Sequence, residues 1–153
     1  KRRGTRWRAE AIGFVSDYRD KITTVLTGDV TDDGRDVVQN RNVGRLRLHG
    51  VELDARFLQA EQLEWYATLN ATYGDERSGN GRTEPADRIP PLNGRVGGLY
   101  RFSSAWWTEG LVLFAARQDR LSVRDRSDPR IDPRGTDGWA NLIWRGGWRP
   151  NEA

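Results

Sequence analysis

The sequence predicts an all-β fold, an antiparallel up-and-down meander of about six long strands. Apolar and polar residues alternate over long segments, most clearly in LEWYATLNATY (63–73). A period of two is that of a strand with one apolar and one polar face. Apolar residues at helical spacing are not sustained over any dozen residues, so no helix is predicted. The lengths of the connecting segments and the positions of the aromatic residues give further information about this meander.

The N-terminal half contains three predicted strands. The first covers Thr5–Val15 and can continue into the β-prone ITTVLT (22–27), before the polar turn GDVTDDGRD (28–36). The second covers Val37–Phe57, whose last third, GVELDARF, alternates in the same way. A connection at LQAE (58–61) leads to the third strand. There Leu63, Trp65, Ala67, Leu69, Ala71 and Tyr73 form the apolar face, and Glu64, Tyr66, Thr68, Asn70 and Thr72 form the polar face.

The C-terminal half contains three more predicted strands, separated by polar segments. The stretch at 74–91 holds three prolines, which cannot continue a ladder of backbone hydrogen bonds. The remaining segments are, in order, a strand over Leu92–Phe102, a Ser103–Ser104 turn, a strand over Trp106–Gln118, a polar stretch at 119–138 and a strand over Trp139–Trp148.

Long and short connections alternate strictly along this meander. Short turns at one rim and long loops at the other are typical of outer-membrane barrels, whose two rims face different compartments. Oriented by those loops, most aromatic residues fall near the short-turn rim: Trp7, Phe57, Trp65, Tyr100, Phe102, Trp106, Trp107 and Trp148. Tyr73 and Trp139 fall toward the other rim. Such girdles form where an indole or phenol sits at the lipid–water boundary, so the strands are predicted to cross a membrane.

The composition agrees with strands that are not covered by a second layer. The chain has 153 residues, of which 36% are hydrophobic and 31% charged, with a mean hydropathy of −0.80 and seven Trp. Six half-apolar strands rich in Ala, Gly and Trp would give a soluble β-sandwich a thin core. A soluble β-sandwich binding module stays open as an alternative, although the predicted strands are long for one.

Composition also argues against a nucleic-acid-binding protein and against an enzyme. All but two of the 25 basic residues are arginine, but 22 acidic residues are interleaved with them and the net charge is only +3. No single-sign stripe forms, so nucleic acid is not a predicted partner. The chain has no cysteine, and its one histidine, His49, shares the parity of the apolar positions Val51 and Leu53. We therefore predict no enzyme activity, no catalytic residues and no cofactor.

The loop at 125–138 carries several aspartates that could offer oxygen ligands to calcium. They are Asp125, Asp128, Asp132 and Asp137. Their spacing is not that of an EF-hand, and the neighbouring arginines neutralise much of their charge. A solvated loop is the favoured interpretation, and no metal site is predicted.

Five segments, in their order, resemble the C-terminal part of the barrel of a TonB-dependent outer-membrane receptor. They are FVSDYRDKI (14–22), NRNVGRLRLHGVELDARF (40–57), LEWYATLNATYG (63–74), ADRIPPLNGRVGGLYRF (86–102) and ARQDRLSVRDRSDPRIDPRGTDGW (116–139). Each segment alone is weakly specific, but the order and spacing together are more so. The resemblance implies that residues 1–153 are part of a 22-stranded barrel domain. It further implies that the plug, the TonB-interacting segment and the remaining strands lie outside this sequence.

The resemblance implies an active importer in the outer membrane of a Gram-negative bacterium. Such a receptor captures a scarce ligand, commonly a ferric siderophore, and the TonB complex supplies energy through a segment ahead of the plug. Its loops 74–91 and 119–138 would lie outside the cell. A passive porin-type channel remains an alternative, since it would share the alternation and the girdles.

Two groups of arginines are candidate binding residues under this interpretation. Arg88, Arg120 and Arg130, in the long loops, are expected to bind an anionic ligand such as a siderophore carboxylate. The alternative is that they form salt bridges within the loops, with Asp87, Asp119 or Asp128. Arg45 and Arg47, beyond the apolar band, are expected to meet lipopolysaccharide head groups among the lipids of the outer membrane.

Overall fold

The structure, a computed structural model, describes residues 6–42, 44–77 and 81–149. Its strands are β1 (Trp7–Arg19), β2 (Ile22–Val30), β3 (Asp36–Asn42), β4 (Arg45–Ala60), β5 (Leu63–Arg77), β6 (Thr83–Pro85), β7 (Asn93–Arg101), β8 (Trp106–Ala115) and β9 (Trp139–Trp148). One short helix, α1 (Val123–Ser127), lies between β8 and β9. No helix in these ranges is long and apolar enough to cross a membrane.

Six long strands form one antiparallel sheet in the order β1-β4-β5-β7-β8-β9, with the short β6 beside the end of β5. The remaining two strands, β2 and β3, pair only with each other as a separate hairpin. The all-β antiparallel meander of six long strands is therefore confirmed. The sheet is open, with β1 and β9 at its two edges.

The alternation of connection lengths is also confirmed. Only residues 61–62 separate β4 from β5, and only 102–105 separate β7 from β8. The connections at the opposite rim contain the β2–β3 hairpin, the segment around β6, and the segment around α1. The sheet therefore has a short-turn rim and a long-loop rim.

The predicted single strand over residues 37–57 is wrong, because the chain forms two strands there that belong to different sheets. β3 returns along β2, and β4 then begins at Arg45 and pairs with β1. Gly44, just before β4, has φ = 97°, a conformation that a side chain would make costly. Its carbonyl accepts a hydrogen bond from the backbone N–H of Lys21 at 3.4 Å. Val43 lies outside the described residues.

Several predicted boundaries also need correction. β4 continues to Ala60, so the turn is shorter than residues 58–61. β5 continues to Arg77, since β6 supplies a partner for its last residues. β8 ends at Ala115 rather than Gln118, and the prediction of no helix missed the five residues of α1. Thr5, the predicted start of the first strand, and residues 78–80 of the polar stretch lie outside the described residues.

The register aligns apolar residues on one face of the sheet across all six long strands. One row, for example, runs through Ala11, Leu53, Leu69, Gly94, Phe114 and Ala140. We call this the apolar face and the other the polar face. Many large side chains of the apolar face are exposed, such as Leu142 at 74% and Trp144 at 75%.

Six aromatic residues of the short-turn rim lie on the apolar face or at its end: Trp7, Phe57, Trp65, Tyr100, Trp106 and Trp148. Two residues assigned to the girdles do not. Trp107 lies opposite Arg101, and Trp139 lies opposite Ala115, both in register with the polar face. Their place in the girdles was wrong, because apolarity alone does not fix which way a tryptophan points at a strand end.

Candidate functional site

A charged cluster occupies the polar face near the short-turn rim. The Tyr66 hydroxyl donates a hydrogen bond to Glu109 Oε1 at 2.5 Å, and Arg145 Nε donates to the other oxygen of that carboxylate. The Arg95 guanidinium lies 5.7 Å from the centre of the Tyr66 ring. The Glu109 side chain is only 9% exposed, so its charge is compensated by Arg145 rather than by water. The residues come from β5, β7, β8 and β9, and the cluster therefore ties four strands together.

Weaker polar contacts continue along the same face. Asn70 Nδ2 donates to Glu52 at 3.1 Å, and Thr72 donates to Asn70 at 3.1 Å. Nearer the short turns, Glu64 accepts from Arg56 at 3.4 Å and from Arg101 at 3.5 Å. The polar face is thus lined by charges and amides suited to a wet or protein-filled interior.

At the long-loop rim, two segments pack against the end of β5. We call residues 81–92 and 116–138 together the loop cluster. Its small core contains the buried residues Ala86, Leu121 and Ser122. Gly74 of β5 belongs to the same core, since a Cβ there would lie 2.8 Å from side-chain atoms of Ile89 and Leu48. The loop cluster therefore has a packed interior of its own.

Hydrogen bonds join the two segments of the loop cluster. Gln118 and Thr136 exchange backbone hydrogen bonds of 2.9 and 2.8 Å, which pins the end of the loop before β9. The Gln118 side-chain amide donates to the Ile89 carbonyl at 2.6 Å. The Ala116 N–H donates to the Leu92 carbonyl at 2.7 Å. Gln118 thus contacts both loops.

Arg88 makes ion pairs with two aspartates of the second loop. Its Nη2 lies 2.6 Å from Asp128 Oδ2, and its backbone N–H donates to Asp125 Oδ2 at 3.1 Å. Its Nε lies 3.0 Å from Asp125 Oδ1, an ion pair without aligned hydrogen-bond geometry, since that oxygen accepts no hydrogen bond. Asp125 is 4% exposed and lies in the first turn of α1, where its backbone N–H donates to Ser122 Oγ at 2.9 Å. Arg88 therefore neutralises a buried carboxylate.

Arg120 reaches from the second loop to β5. Its Nη1 donates to the Gly74 carbonyl at 2.8 Å, and its Nη2 donates to Asp75 Oδ1 at 2.5 Å. These contacts lie where β5 has lost β7 as a partner, beyond the Asn70–Asn93 pair. The Gly74 carbonyl also accepts a hydrogen bond from the Ala86 N–H at 3.0 Å, so Arg120 reinforces the junction of β5 with the first loop.

Arg130 and Arg134 occupy two consecutive Asp-Pro-Arg repeats with the same local geometry. Arg130 donates to Asp128 from its backbone N–H (3.0 Å), Nε (2.9 Å) and Nη2 (2.8 Å). Arg134 makes the same three bonds to Asp132, at 2.8, 3.2 and 3.0 Å. The arginine hydrogen bonds lower the pKa of each aspartate, and the aspartates raise the pKa of each arginine. Arg130 is nevertheless 78% exposed, so its outer side remains open to solvent.

The three arginines predicted to bind ligand therefore all contact carboxylates within the chain. Arg88 and Arg130 share Asp128, whereas Arg120 lies apart with Asp75. Of the partners considered from the sequence, only Asp128 is used as expected. Asp87 pairs with Arg124, and Asp119 lies 3.8 Å from Arg117. Whether any of the three binds a ligand stays a prediction.

A cleft of about 350 Å³ opens beside Arg120, where the β5–β7 pairing ends. Tyr73, Pro90, Leu92, Arg117 and Arg120 are among its lining residues. Among the described residues no group of three or more histidines, cysteines or carboxylates is arranged to hold a metal ion. The cleft instead offers guanidinium groups beside apolar walls.

Two features of these sites were missed in the sequence. The cluster around Glu109 was missed because its members come from four strands and no local motif marks them. The Asp-Pro-Arg repeat is visible in SDPRIDPRG (127–135), and such a repeat favours a turn in which the aspartate accepts hydrogen bonds from the following residues. The sequence prediction considered only that these arginines neutralise the aspartates.

Comparison with known proteins agrees with this architecture. Residues 2–153 match the family model described as TonB dependent receptor-like, beta-barrel. The structure is similar to that of a protein named copper transporter OprC, with a TM-score of 0.78 and 23% sequence identity. That match covers 97% of this chain and 21% of OprC, so the chain spans about a fifth of that protein's length. No curated protein sequence matches the chain. The family match extends over nearly every residue, and the chain belongs to the TonB-dependent receptor β-barrel family.

Proposed function

We propose that residues 1–153 form part of the transmembrane barrel of an outer-membrane receptor that imports a scarce ligand with energy supplied through TonB. The plug and the TonB-interacting segment would belong to the same receptor outside this stretch. The proposed cell is a Gram-negative bacterium, and the proposed lipid surroundings are its outer membrane, including lipopolysaccharide. The function is transport and not catalysis.

The observation that carries this proposal is the continuous apolar face of a single-layer sheet. Along β4, Phe57 in the aromatic row lies eight positions from His49, which is beside the last apolar positions. At about 3.4 Å per residue this is about 27 Å, or roughly 20 Å in height for a strand tilted by about 40°. An outer-membrane barrel presents an apolar band about 25 Å tall, so the face has nearly the height that hydrocarbon would cover.

An anionic metal chelate, most simply a ferric siderophore, is the ligand class that this stretch favours. The copper named in the OprC title suggests a second candidate, a copper ion. Copper sites draw on Met, Cys and His, but this chain has no Met, no Cys and one His, which lies on the apolar face. The loop cluster instead supplies exposed guanidinium groups, which pair with carboxylates and other planar anions.

Among the three candidate arginines, Arg130 is the one proposed to contact the ligand directly. Its side chain is 78% exposed, whereas Arg120 is 36% and Arg88 57% exposed. Arg88 and Arg120 would contribute by holding the loops in place, and would bind ligand only by exchanging an aspartate for it. The ligand-capturing surface would then be the solvent side of residues 125–138.

Membrane placement can be tested by scanning β5 with single cysteines in the complete receptor, after removal of any other cysteine. Nitroxide labels at positions 67, 69 and 71 should be accessible to oxygen, which concentrates in hydrocarbon. Labels at 68, 70 and 72 should be accessible to a polar nickel chelate or shielded by protein. The proposal would be refuted if oxygen accessibility did not alternate between successive residues of β5, or if the receptor remained in the aqueous fraction.

Transport can be tested separately by uptake of a radiolabelled ferric siderophore in cells that depend on this receptor. Uptake should stop on addition of a protonophore or deletion of TonB, whereas uptake through a passive porin-type channel would continue. Uptake of copper but not of the iron chelate would refute the proposal that the ligand is an anionic metal chelate, but it would not contradict active transport. Arg130→Gln should weaken capture of the chelate severalfold, with Arg56→Gln on the polar face as a charge-matched control.

A further inference from the structure

The loop before β9 contains two consecutive β-turns with the same sequence and the same geometry. Each turn has Asp, Pro and Arg at its first three positions, and the proline fixes the backbone at the second position. The N–H of the fourth residue donates to the carbonyl of the first in both turns: Ile131 to Asp128 at 3.0 Å, and Gly135 to Asp132 at 2.8 Å. Arg130 and Arg134 therefore occupy equivalent third positions. We call residues 128–135 the tandem turns.

Each arginine of the tandem turns uses only one edge of its guanidinium group to hold its turn. Nε and Nη2 of Arg130 donate to the two carboxylate oxygens of Asp128, and the same atoms of Arg134 donate to Asp132. Within the part of the chain that the structure describes, neither Nη1 donates to an acceptor. A guanidinium carries five N–H groups, so the edge formed by Nη1 and Nη2 stays available to a further carboxylate. Arg134 is 85% exposed, slightly more than Arg130, and a ligand in solvent can reach both edges.

The tandem turns are held against the packed part of the loop cluster. Arg88 donates to the aspartate of the first turn at 2.6 Å. In the second turn, the Arg134 carbonyl accepts from Arg117 Nη2 at 2.9 Å. Gly135, with φ = 98°, lies so close to Gln118 that a Cβ would collide with the Gln118 carbonyl. Because the backbone and both guanidinium groups are positioned before a ligand arrives, less conformational freedom is lost on binding.

The composition of the loop cluster narrows the class of anion that it would select. Residues 81–92 and 116–138 contain eight arginines and seven acidic residues, so the cluster is nearly neutral as a whole. Selectivity must therefore come from bidentate pairing at individual arginines rather than from the overall charge. The same residues include no Phe, Trp, Tyr or His, so they offer no ring on which a catecholate could stack. This combination favours carboxylates over catecholates.

We propose that Arg130 and Arg134 bind two carboxylates of one molecule, and that the captured ligand is the metal chelate of a polycarboxylate. This inference rests on the function proposed above, and it adds Arg134 to the site and a chemical class to the ligand. The two arginines are four positions apart, so their Cα atoms are separated by at most about 14 Å and both side chains can reach the same chelate. Each free guanidinium edge pairs with one carboxylate that the metal leaves unbound. A tris-catecholate or a tris-hydroxamate offers no such carboxylate.

The test measures the binding of three iron chelates to the complete receptor in detergent, by equilibrium dialysis with radiolabelled iron. The chelates are the ferric complexes of citrate, of a tris-catecholate and of a tris-hydroxamate, and the citrate complex should bind most tightly. Arg130→Gln and Arg134→Gln should each weaken binding of the citrate complex about tenfold. Arg134→Lys, which keeps the charge but loses the bidentate edge, should weaken it severalfold. Arg124→Gln is the matched control and should bind as the unmodified receptor does, because Arg124 is exposed and pairs with Asp87 outside the tandem turns.

Tighter binding of the tris-catecholate or the tris-hydroxamate complex than of the citrate complex would overturn the inference, as would equal losses in the Arg134→Gln and Arg124→Gln variants. Unchanged binding of the citrate complex by Arg134→Gln would overturn the role of Arg134. Folding of each variant is checked by the migration of the unheated receptor in detergent gels, and Arg134→Lys replaces Arg134→Gln if the latter does not fold. A receptor that takes up only the tris-catecholate complex, in a TonB-dependent way, refutes this inference but agrees with the proposed function. A receptor that binds none of the three chelates refutes the ligand class in the proposed function itself.

Discussion

Leu69 of β5 lies directly opposite Leu53 of β4 on the apolar face, while the adjacent pair, Asn70 and Glu52, is hydrogen-bonded on the polar face at 3.1 Å. Two consecutive residues of one strand thus face opposite surroundings. These two adjacent residues therefore allow the two faces of the sheet to be compared directly.

Arginine at these two positions should have very different costs. Leu69→Arg, near the middle of the apolar face, should lower the free energy of unfolding by about 2–4 kcal/mol, because hydrocarbon cannot solvate the guanidinium. Asn70→Arg should cost far less, because the new charge faces Glu52. Denaturant unfolding of the receptor in lipid vesicles measures both changes. Equal losses would mean that the faces are assigned wrongly.

A second prediction concerns the glycines of the apolar face. A Cβ at Gly98 would lie 2.8 Å from the Trp65 ring, so Gly98→Ala must displace the indole and should cost about 1–3 kcal/mol of unfolding free energy. Gly13, on the same face, is the matched control, because a Cβ there meets nothing within 4 Å. Gly13→Ala should change stability little. Trp65 fluorescence should shift in the first variant only, and an unshifted spectrum with unchanged stability would contradict the packing of Trp65 over Gly98.

The sequence predicted the faces of the sheet better than the ends of the strands. Alternation placed Leu69 and Asn70 on opposite faces because a half-apolar strand shows its period locally. The break before β4 was missed, because residues 37–57 are all compatible with a strand and only the conformation of Gly44 and the pairing of β3 with β2 divide them. Tertiary pairing, and not local propensity, decides such a break.

The contacts between the loops could not be predicted from the sequence for a different reason. Arg88 meets Asp125, which lies 37 positions away in the sequence, and Arg120 meets Asp75, which lies 45 positions away. In a chain with 25 bases and 22 acids, many such pairs are possible, and the sequence alone cannot choose among them. Only pairs two residues apart, such as Asp128 with Arg130, carry a local signal.

A third prediction compares the contributions of a buried and an exposed ion pair to the stability of the loop cluster. Arg88→Gln leaves the Asp125 carboxylate buried without its cation, and should lower the local stability of α1 by about 1–3 kcal/mol. Amide hydrogen exchange of Arg126, whose N–H donates to the Ser122 carbonyl at 3.1 Å, should accelerate about 10- to 100-fold. Arg130→Gln is the control, since Asp128 keeps Arg88 and the lost pair is exposed. Similar acceleration in both variants would rule out a special role for Arg88.

The last prediction concerns the acid stability of the two Asp-Pro-Arg turns. Hydrogen bonds from Arg130 and Arg134 hold the pKa values of Asp128 and Asp132 below the ordinary aspartate value of about 3.9. Because these pKa values are lowered on folding, the stabilisation is complete above about pH 4–5 and is lost only as the pH falls through the lowered values. The N–H groups of Arg130 and Arg134, which donate to these carboxylates, should therefore stay protected from exchange at pH 4, after correction for the intrinsic rate. Asp132→Asn should remove the pH dependence at Arg134 and leave that at Arg130 intact. Protection already lost near pH 5 would show that the arginines do not stabilise the ionised carboxylates.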